Sequence, residues 1–253
     1  MTGSESETET EGPRDFLTDL AAIGPFFSVY AHLPGERPQF PWVTIGELTS
    51  HAEAMRRRIA AVQRAMAVRA GSRAEQIEAR VAASAAHFGV VARLVSPGLA
   101  ALVSGYQLSM EPSQLWWQDV LGGPFPLSVP APAHRLDGTD RSAEEACRKL
   151  VSELIGPVTS VVAKLVPVSA WVLWGNVASA VNSASMQIAE ARPAATDAVQ
   201  HLAEFVFRAP QLRTEQSQPG PGFRRSSCCL IYRLAAEWAN GTCGDCVLGE
   251  PPS

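Results

Sequence analysis

Apolar residues recur three and four positions apart through much of the chain, which is the spacing of one face of an α-helix. A proline inside a helix removes a backbone donor, so we expect the helix before Pro97 to stop there and a shorter one to restart at Ser96. The pattern predicts a short helix around Phe16 to Leu20 and longer helices over about residues 50–71, 72–96, 142–165, 169–191 and 193–207. Three Ser-x-x-Glu pairs predict helix starts as capping boxes: Ser50 with Glu53, Ser72 with Glu75, and Ser142 with Glu145.

Residues 114–129 follow a different pattern. A short apolar run containing Trp116 and Trp117 precedes Gly122-Gly123, and a second apolar run continues to Val129. Two such runs around a glycine pair are typical of a β-hairpin.

Charge and hydropathy narrow the class of protein. The net charge of −4 argues against nucleic acid as a partner, because phosphate binding needs clustered basic surface. The most apolar stretch, about residues 158–181, is interrupted by Lys164, Pro167 and Asn176, so no membrane span is expected. Residues 1–12 are acidic and hydroxyl-rich, which predicts a disordered tail and no signal peptide. We therefore expect a cytoplasmic protein with reduced thiols and at most transient membrane association.

Four of the five cysteines lie close together in the sequence, at Cys228, Cys229, Cys243 and Cys246. The run Cys243-Gly244-Asp245-Cys246 can direct two thiolates to one metal around a tight turn. Adjacent side chains of an extended chain point to opposite sides, so the first pair is suited to a larger object such as a two-iron cluster. Ligand chemistry alone leaves structural zinc and an iron–sulfur cluster equally open, with disulfides less favoured. Cys147 stands alone in a predicted helix and is expected to be a small buried residue.

The expected fold class is therefore mainly α, with a small antiparallel β element and a C-terminal cysteine-rich metal-binding segment. Residues 1–12 form the tail, residues 13–212 an α-rich body, and residues 213–253 a linker followed by the cysteine segment.

Two stretches resemble a known family. The run from Arg224 to Leu234, together with the Cys243–Cys246 knuckle, is similar to the C-terminal signature of the FhuF-type ferric-siderophore reductases. The run Leu173-Trp174-Gly175-Asn176 resembles a Trp-x-Asn element of the same family. The thirteen residues between the cysteine pairs make a longer gap than that family has. The resemblance therefore does not extend to the loop from Ala235 to Thr242.

The resemblance implies a [2Fe–2S] cluster held by the four clustered cysteines, and a protein that passes one electron to a bound Fe(III)-siderophore and releases Fe(II). It implies a substrate-binding role for the body, with Trp174, Asn176, Trp116 and Trp117 as candidate contacts. Arg225 and Arg233 flank the ligands and either tune the cluster or attract an anionic chelate. No dinucleotide or phosphate-binding motif is found, so electrons are expected from an external donor protein.

Two other functions stay open from the sequence. One is a non-enzymatic, zinc-stapled interaction module, in which a structural zinc ion on the four clustered cysteines holds the C-terminal segment together. The other is a protein related to siderophore biosynthesis, although no nucleotide site is found for it.

Overall fold

The structure is a computed structural model that describes residues 13–37, 39–212, 217–234 and 243–248. The predicted acidic tail and residues 213–216 of the predicted linker lie outside the described residues, as does most of the loop between the cysteine pairs. Helices dominate, which confirms the expectation of a mainly α protein. The α-helices are α1 (Pro13–Ile23), α2 (Ile45–Ser50), α3 (Ala52–Arg69), α4 (Ala79–Val103), α5 (Asp140–Lys149), α6 (Gly156–Leu165), α7 (Ala170–Ala191) and α8 (Thr196–Phe207). Single 3₁₀ turns cover Ala74–Gln76, Pro193–Ala195, Pro210–Leu212 and Ile231–Arg233.

The predicted hairpin is confirmed as part of a larger sheet. Its strands pair antiparallel with Trp117 opposite Leu127, and the chain adds a third antiparallel strand and a fourth, parallel one. The strands are β1 (Tyr30–His32), β2 (Val43–Thr44), β3 (Tyr106–Gln107), β4 (Trp116–Trp117), β5 (Leu127–Pro130) and β6 (His134–Arg135). The order in the four-stranded sheet is β1-β5-β4-β2, while β3 and β6 form a separate antiparallel pair.

The core is built around α4 and α7, which make the most extensive helix–helix contact among the described elements. Small residues such as Ala83, Ala86, Ala180 and Ala184 are buried on these helices and allow a close approach of the two backbones. Among the described helices α4 alone has the length and apolarity of a membrane span, and 83% of its apolar window is buried inside the protein. It is therefore the central core helix of this fold.

The expected helix stop before Pro97 is wrong, because α4 runs through Pro97 to Val103 without a break. An interior proline costs about 3 kcal/mol. Val95, Pro97 and Leu99 are all buried, and each large apolar side chain contributes about 1.5–3 kcal/mol when fully buried. Packing on all sides of the helix therefore outweighs the local preference.

The three expected capping boxes are also wrong in position. Thr44 caps α2, with the Glu47 N–H donating to its Oγ1 at 3.2 Å and the Glu47 carboxylate accepting from the Thr44 N–H at 3.5 Å. Ser50 is instead the last residue of α2. Thr139 caps α5 and Ser142 lies in its first turn, while the buried Ser72 hydroxyl has no hydrogen-bond partner. The Thr44 and Glu47 pair has the same spacing as the expected boxes, whereas α3 begins after His51, which makes no side-chain capping bond.

The predicted helix over 142–165 is observed with a local widening. Residues Leu150–Ile155 between α5 and α6 are π-helical, and the Gly156 N–H donates to the Val151 carbonyl five residues back. A Cβ on Gly156 would lie 3.2 Å from that carbonyl oxygen, so glycine permits the closure of this wide turn.

Candidate metal centre

The first part of the cysteine segment is an extended chain lying against the helical body. Burial alternates from residue 223 to residue 230, so that Phe223, Arg225, Ser227 and Cys229 face inward and are 2–7% exposed. The intervening residues, Cys228 among them, are partly exposed. Phe223 packs edge-on against Phe207 of α8 with ring centroids 5.4 Å apart. The two adjacent cysteines therefore point to opposite sides, as an extended backbone requires.

The two halves of the segment are joined by hydrogen bonds. The Arg225 N–H donates to the Asp245 carbonyl at 3.0 Å, and the Arg224 guanidinium donates to the Cys246 carbonyl at 2.7 Å. The Cys246 N–H donates to the Cys243 carbonyl at 2.9 Å and closes the predicted knuckle turn. These bonds bring the second cysteine pair beside the first.

Asn176 connects the segment to the core of the helical body. Its Oδ1 accepts from the Arg225 guanidinium at 2.7 Å, and its Nδ2 donates to the Ser84 carbonyl at 3.0 Å. Ser84 in turn donates from its hydroxyl to the Cys229 carbonyl at 2.9 Å. Asn176 and Ser84 are 0–1% exposed, so this chain of bonds fixes the backbone of a cysteine from inside the protein.

His87 extends the same network on α4. The Thr159 hydroxyl donates to the Ile155 carbonyl at 2.8 Å, so it accepts from His87 Nε2–H at 3.0 Å. Nδ1 is then the unprotonated nitrogen and accepts from Asn176 Nδ2 at 3.4 Å. Complete burial, with a smaller effect of the nearby Arg225 charge, lowers the pKa of His87 to about 3, so the ring is neutral.

The four C-terminal cysteines include one close sulfur pair, and two of them are buried while two are partly exposed. The Cys229 and Cys243 sulfurs lie 3.6 Å apart. Backbone N–H groups donate to the other two sulfurs, from Leu230 to Cys228 at 3.3 Å and from Leu248 to Cys246 at 3.4 Å. Cys229 and Cys246 are buried, whereas Cys228 and Cys243 are partly exposed.

The thiols influence each other. A hydrogen bond from the Cys243 thiol, reinforced by the Ile231 N–H and the Arg225 charge, lowers the pKa of Cys229 to about 6. The same bond raises the pKa of Cys243. Burial raises the pKa of Cys228, and the neighbouring thiols of Cys229 and Cys246 add to this effect. One S–H hydrogen bond thus joins the Cys229 and Cys243 sulfurs, and a metal ion bound to both thiolates would replace it.

The spacing of one sulfur pair matches that of two thiolates on a single metal ion. Two thiolates at about 2.3 Å from one tetrahedral ion are about 3.8 Å apart, close to the distance between the Cys229 and Cys243 sulfurs. A cavity of about 160 Å³ is bordered by both cysteines and by Arg225. Two residues that border it, Arg225 and Asp245, have buried polar atoms without a hydrogen-bond partner, Nε and Oδ2, and so does the nearby Ser227 at its Oγ. Within the described ranges no three Cys, His, Asp or Glu side chains converge on a single ion position.

The other candidate residues lie in different environments. Arg233 is about one-third exposed and donates to Glu78 at 2.7 Å. Trp116 and Trp174 are partly exposed, whereas Trp117 is 2% exposed and packs against Phe125 at 5.1 Å between ring centroids. Cys147 is buried in α5, and burial raises its thiol pKa to about 12.

Three site residues have no signal in the sequence pattern. Ser84 and His87 are polar residues in an apolar helix, which does not distinguish them from residues that face solvent. Leu230 adopts a left-handed conformation with φ 70°, the sole non-glycine residue with positive φ in the described part of the chain. Such a conformation is costly for leucine and is found where surrounding contacts impose it. Here it turns the chain so that its N–H reaches the Cys228 sulfur.

A scan of the chain against protein-family models and a search among curated proteins found no match.

Proposed function

We propose that the protein is a ferric-siderophore reductase that carries a [2Fe–2S] cluster on Cys228, Cys229, Cys243 and Cys246. The observation that carries the proposal is the sulfur pair of Cys229 and Cys243 at 3.6 Å, in a segment where the other two cysteines lie beside it. When bound, the cluster supplies one electron at a time. Fe(III) in a siderophore is held by hard oxygen donors, and one added electron gives Fe(II), which such donors hold less tightly.

The chain's own residues hold the group and control access to it. Ser84 and Asn176 fix the inner face of the segment through the Cys229 carbonyl and the Arg225 guanidinium. The partly exposed side, with Cys228 and Cys243, is the side from which substrate and electron donor can approach. The backbone N–H groups of Leu230 and Leu248 direct partial positive charge toward the Cys228 and Cys246 sulfurs and stabilise their thiolates.

The substrate and the electron donor are distinct partners in this proposal. The Fe(III)-siderophore accepts the electron, and an external donor protein replaces it. Trp174, two residues before Asn176 on α7, is partly exposed and is the better aromatic candidate for a substrate contact. Trp117 would have to leave the core to meet a ligand. A cytoplasmic location with at most transient membrane association belongs to the same proposal.

The test is spectroscopic and then chemical. Protein purified without oxygen is expected to contain two irons and two sulfides per chain and to absorb in the visible range. Reduced protein mixed with an Fe(III)-hydroxamate siderophore is expected to be reoxidised, with one Fe(II) trapped by a ferrous chelator for each electron lost. Each transfer removes one electron from the reduced cluster and adds it to the ferric ion of the substrate.

Matched cysteine variants control the assignment. Cys246→Ser should lose the visible spectrum and the reductase activity. Cys147→Ser should retain both, because that thiol is buried in α5 with its pKa raised to about 12. A colourless protein with one zinc per chain would instead support the zinc-stapled module. Loss of the spectrum in Cys147→Ser but not in Cys246→Ser would show that the ligand set is wrong.

A further inference from the structure

Arg225 is a buried cation whose partners carry no negative charge. It is 2% exposed, and its guanidinium donates to Asn176 Oδ1 at 2.7 Å and to the Val172 carbonyl at 3.3 Å. Its Nε has no hydrogen-bond partner. The described residues give it no ion pair, whereas buried Arg58 pairs with Asp119.

Such an arrangement is costly in a protein without a nearby anion. Removing a guanidinium from water costs several kcal/mol unless an opposite charge or a full set of acceptors compensates it. Arg225 borders the 160 Å³ cavity that also contacts Cys229 and Cys243. The buried Ser227 hydroxyl, two residues along the same inward face, also lacks a partner. Arg225 Nε and Ser227 Oγ can therefore each donate to a further group, and Asp245, whose Oδ2 also lacks a partner, is the one carboxylate among the described residues that border the cavity.

The geometry points to Arg225 as the buried cation that offsets the negative charge of an iron–sulfur cluster on these cysteines and raises its reduction potential, with Asn176 as a positioning residue. The inference rests on the proposed function. Four thiolates and two sulfides outweigh the charge of two ferric ions, and reduction adds one further negative charge from the donor protein. A fixed positive charge stabilises the reduced form more than the oxidised form, so the potential rises.

The structure separates Arg225 from the other candidate, Arg233. Arg233 is exposed to solvent and its charge is balanced by Glu78, so solvent and the ion pair both weaken its field at the cysteines. Arg225 is 2% exposed and makes no ion pair among the described residues, although the Asp245 carboxylate borders the same cavity. The two arginines flank the same cysteine pair in sequence, and only the inward one is placed to act on the cluster.

The experiment measures the midpoint potential of the full-length, cluster-loaded protein by anaerobic spectroelectrochemical titration. Arg225→Gln, which removes the charge and keeps amide donors, should lower the equilibrium constant for reduction at least tenfold, or about 59 mV for one electron. Arg225→Lys, which keeps the charge, should restore that constant to within about twofold, or about 18 mV. Arg80→Gln makes the same charge change at an exposed arginine and should leave the potential unchanged.

A second variant tests the same inference if Arg225→Gln does not fold. Asn176→Asp places a carboxylate against the intact Arg225 side chain and should lower the potential in the same direction. A loaded protein that keeps the wild-type potential in Asn176→Asp, or in Arg225→Gln where that variant loads, would overturn this inference and leave the reductase proposal standing. Wild-type protein without an iron–sulfur spectrum would overturn both.

Discussion

Replacing Asn176 with alanine removes an amide that joins α7, α4 and the cysteine segment. In the wild-type protein this side chain accepts a bond from Arg225 at 2.7 Å and donates to the Ser84 carbonyl and to His87 Nδ1. The network residues Asn176, Arg225, Ser84 and His87 are all buried. A water molecule could therefore replace the lost amide only if the surrounding core rearranged. The substitution therefore leaves a charged donor and a neutral acceptor unsatisfied in the core.

The magnitude follows from these bonds. A hydrogen bond to a charged group contributes about 1.5–3 kcal/mol, and the neutral bond to His87 about 1 kcal/mol. The expected loss in the free energy of unfolding is therefore about 2.5–4 kcal/mol. For a chain of this size such a loss lowers the Tm by roughly 10 °C.

The assay is denaturant unfolding of the metal-free protein, followed in parallel by circular dichroism and tryptophan fluorescence. Gln187→Ala, at an exposed position of the same helix, is the control and should change the free energy by less than about 0.5 kcal/mol. A double-mutant cycle with Arg225→Met should give a coupling energy of at least about 1 kcal/mol. A loss below about 1 kcal/mol in Asn176→Ala, or no coupling to Arg225, would refute the argument that this network anchors the segment.

Two further predictions concern His87 and Gly156. The pKa of His87 is near 3 in the folded protein and near 6.5 when unfolded, so the unfolded state binds the extra proton between these values and stability falls as the pH drops. Between pH 7.5 and pH 5 this residue should cost about 2 kcal/mol, and His87→Gln should flatten the pH dependence of the unfolding free energy by that amount; an unchanged slope would contradict the neutral buried ring. Gly156→Ala should lower the free energy of unfolding by about 1–2 kcal/mol, because its Cβ would lie 3.2 Å from the Val151 carbonyl oxygen, and thermal unfolding that matches the wild type would show that the π-helical turn adjusts freely.

Local patterns in the sequence located most of the helices. The prediction over 169–191 agrees with α7 to within one residue, because both its start at Ser169 and its apolar face are local features. The pairing of β4 with β5 was also predictable from two apolar runs around a glycine pair. The parallel partner β1 was not, since its pairing joins residues 98 positions apart and leaves no periodic trace.

The sequence predicted the divergence of the adjacent cysteines, but not the residues of the helical body that hold their segment in place. The clustering and the extended character of Cys228 and Cys229 indicated that the adjacent thiols diverge, and the alternating burial agrees with this. Ser84, His87 and Thr159 belong to helices whose faces look apolar, and their roles depend on how α4, α6 and α7 meet in space. Tertiary contacts of this kind have no counterpart in residue spacing, so only the structure could reveal them.

The π-helical stretch from Leu150 to Ile155 is a place where the chain can lose one residue and keep its fold. A wide turn holds one residue more than the regular α-helix needs to connect the same two ends. Loss of a single residue here would convert the stretch to regular helix and keep Cys147 on one side and Thr159 on the other facing the core. The same deletion inside α7 would rotate everything beyond it by about 100° and turn the apolar face toward water. Within the helical body, this stretch is therefore where homologous chains can differ by one residue without a change of fold.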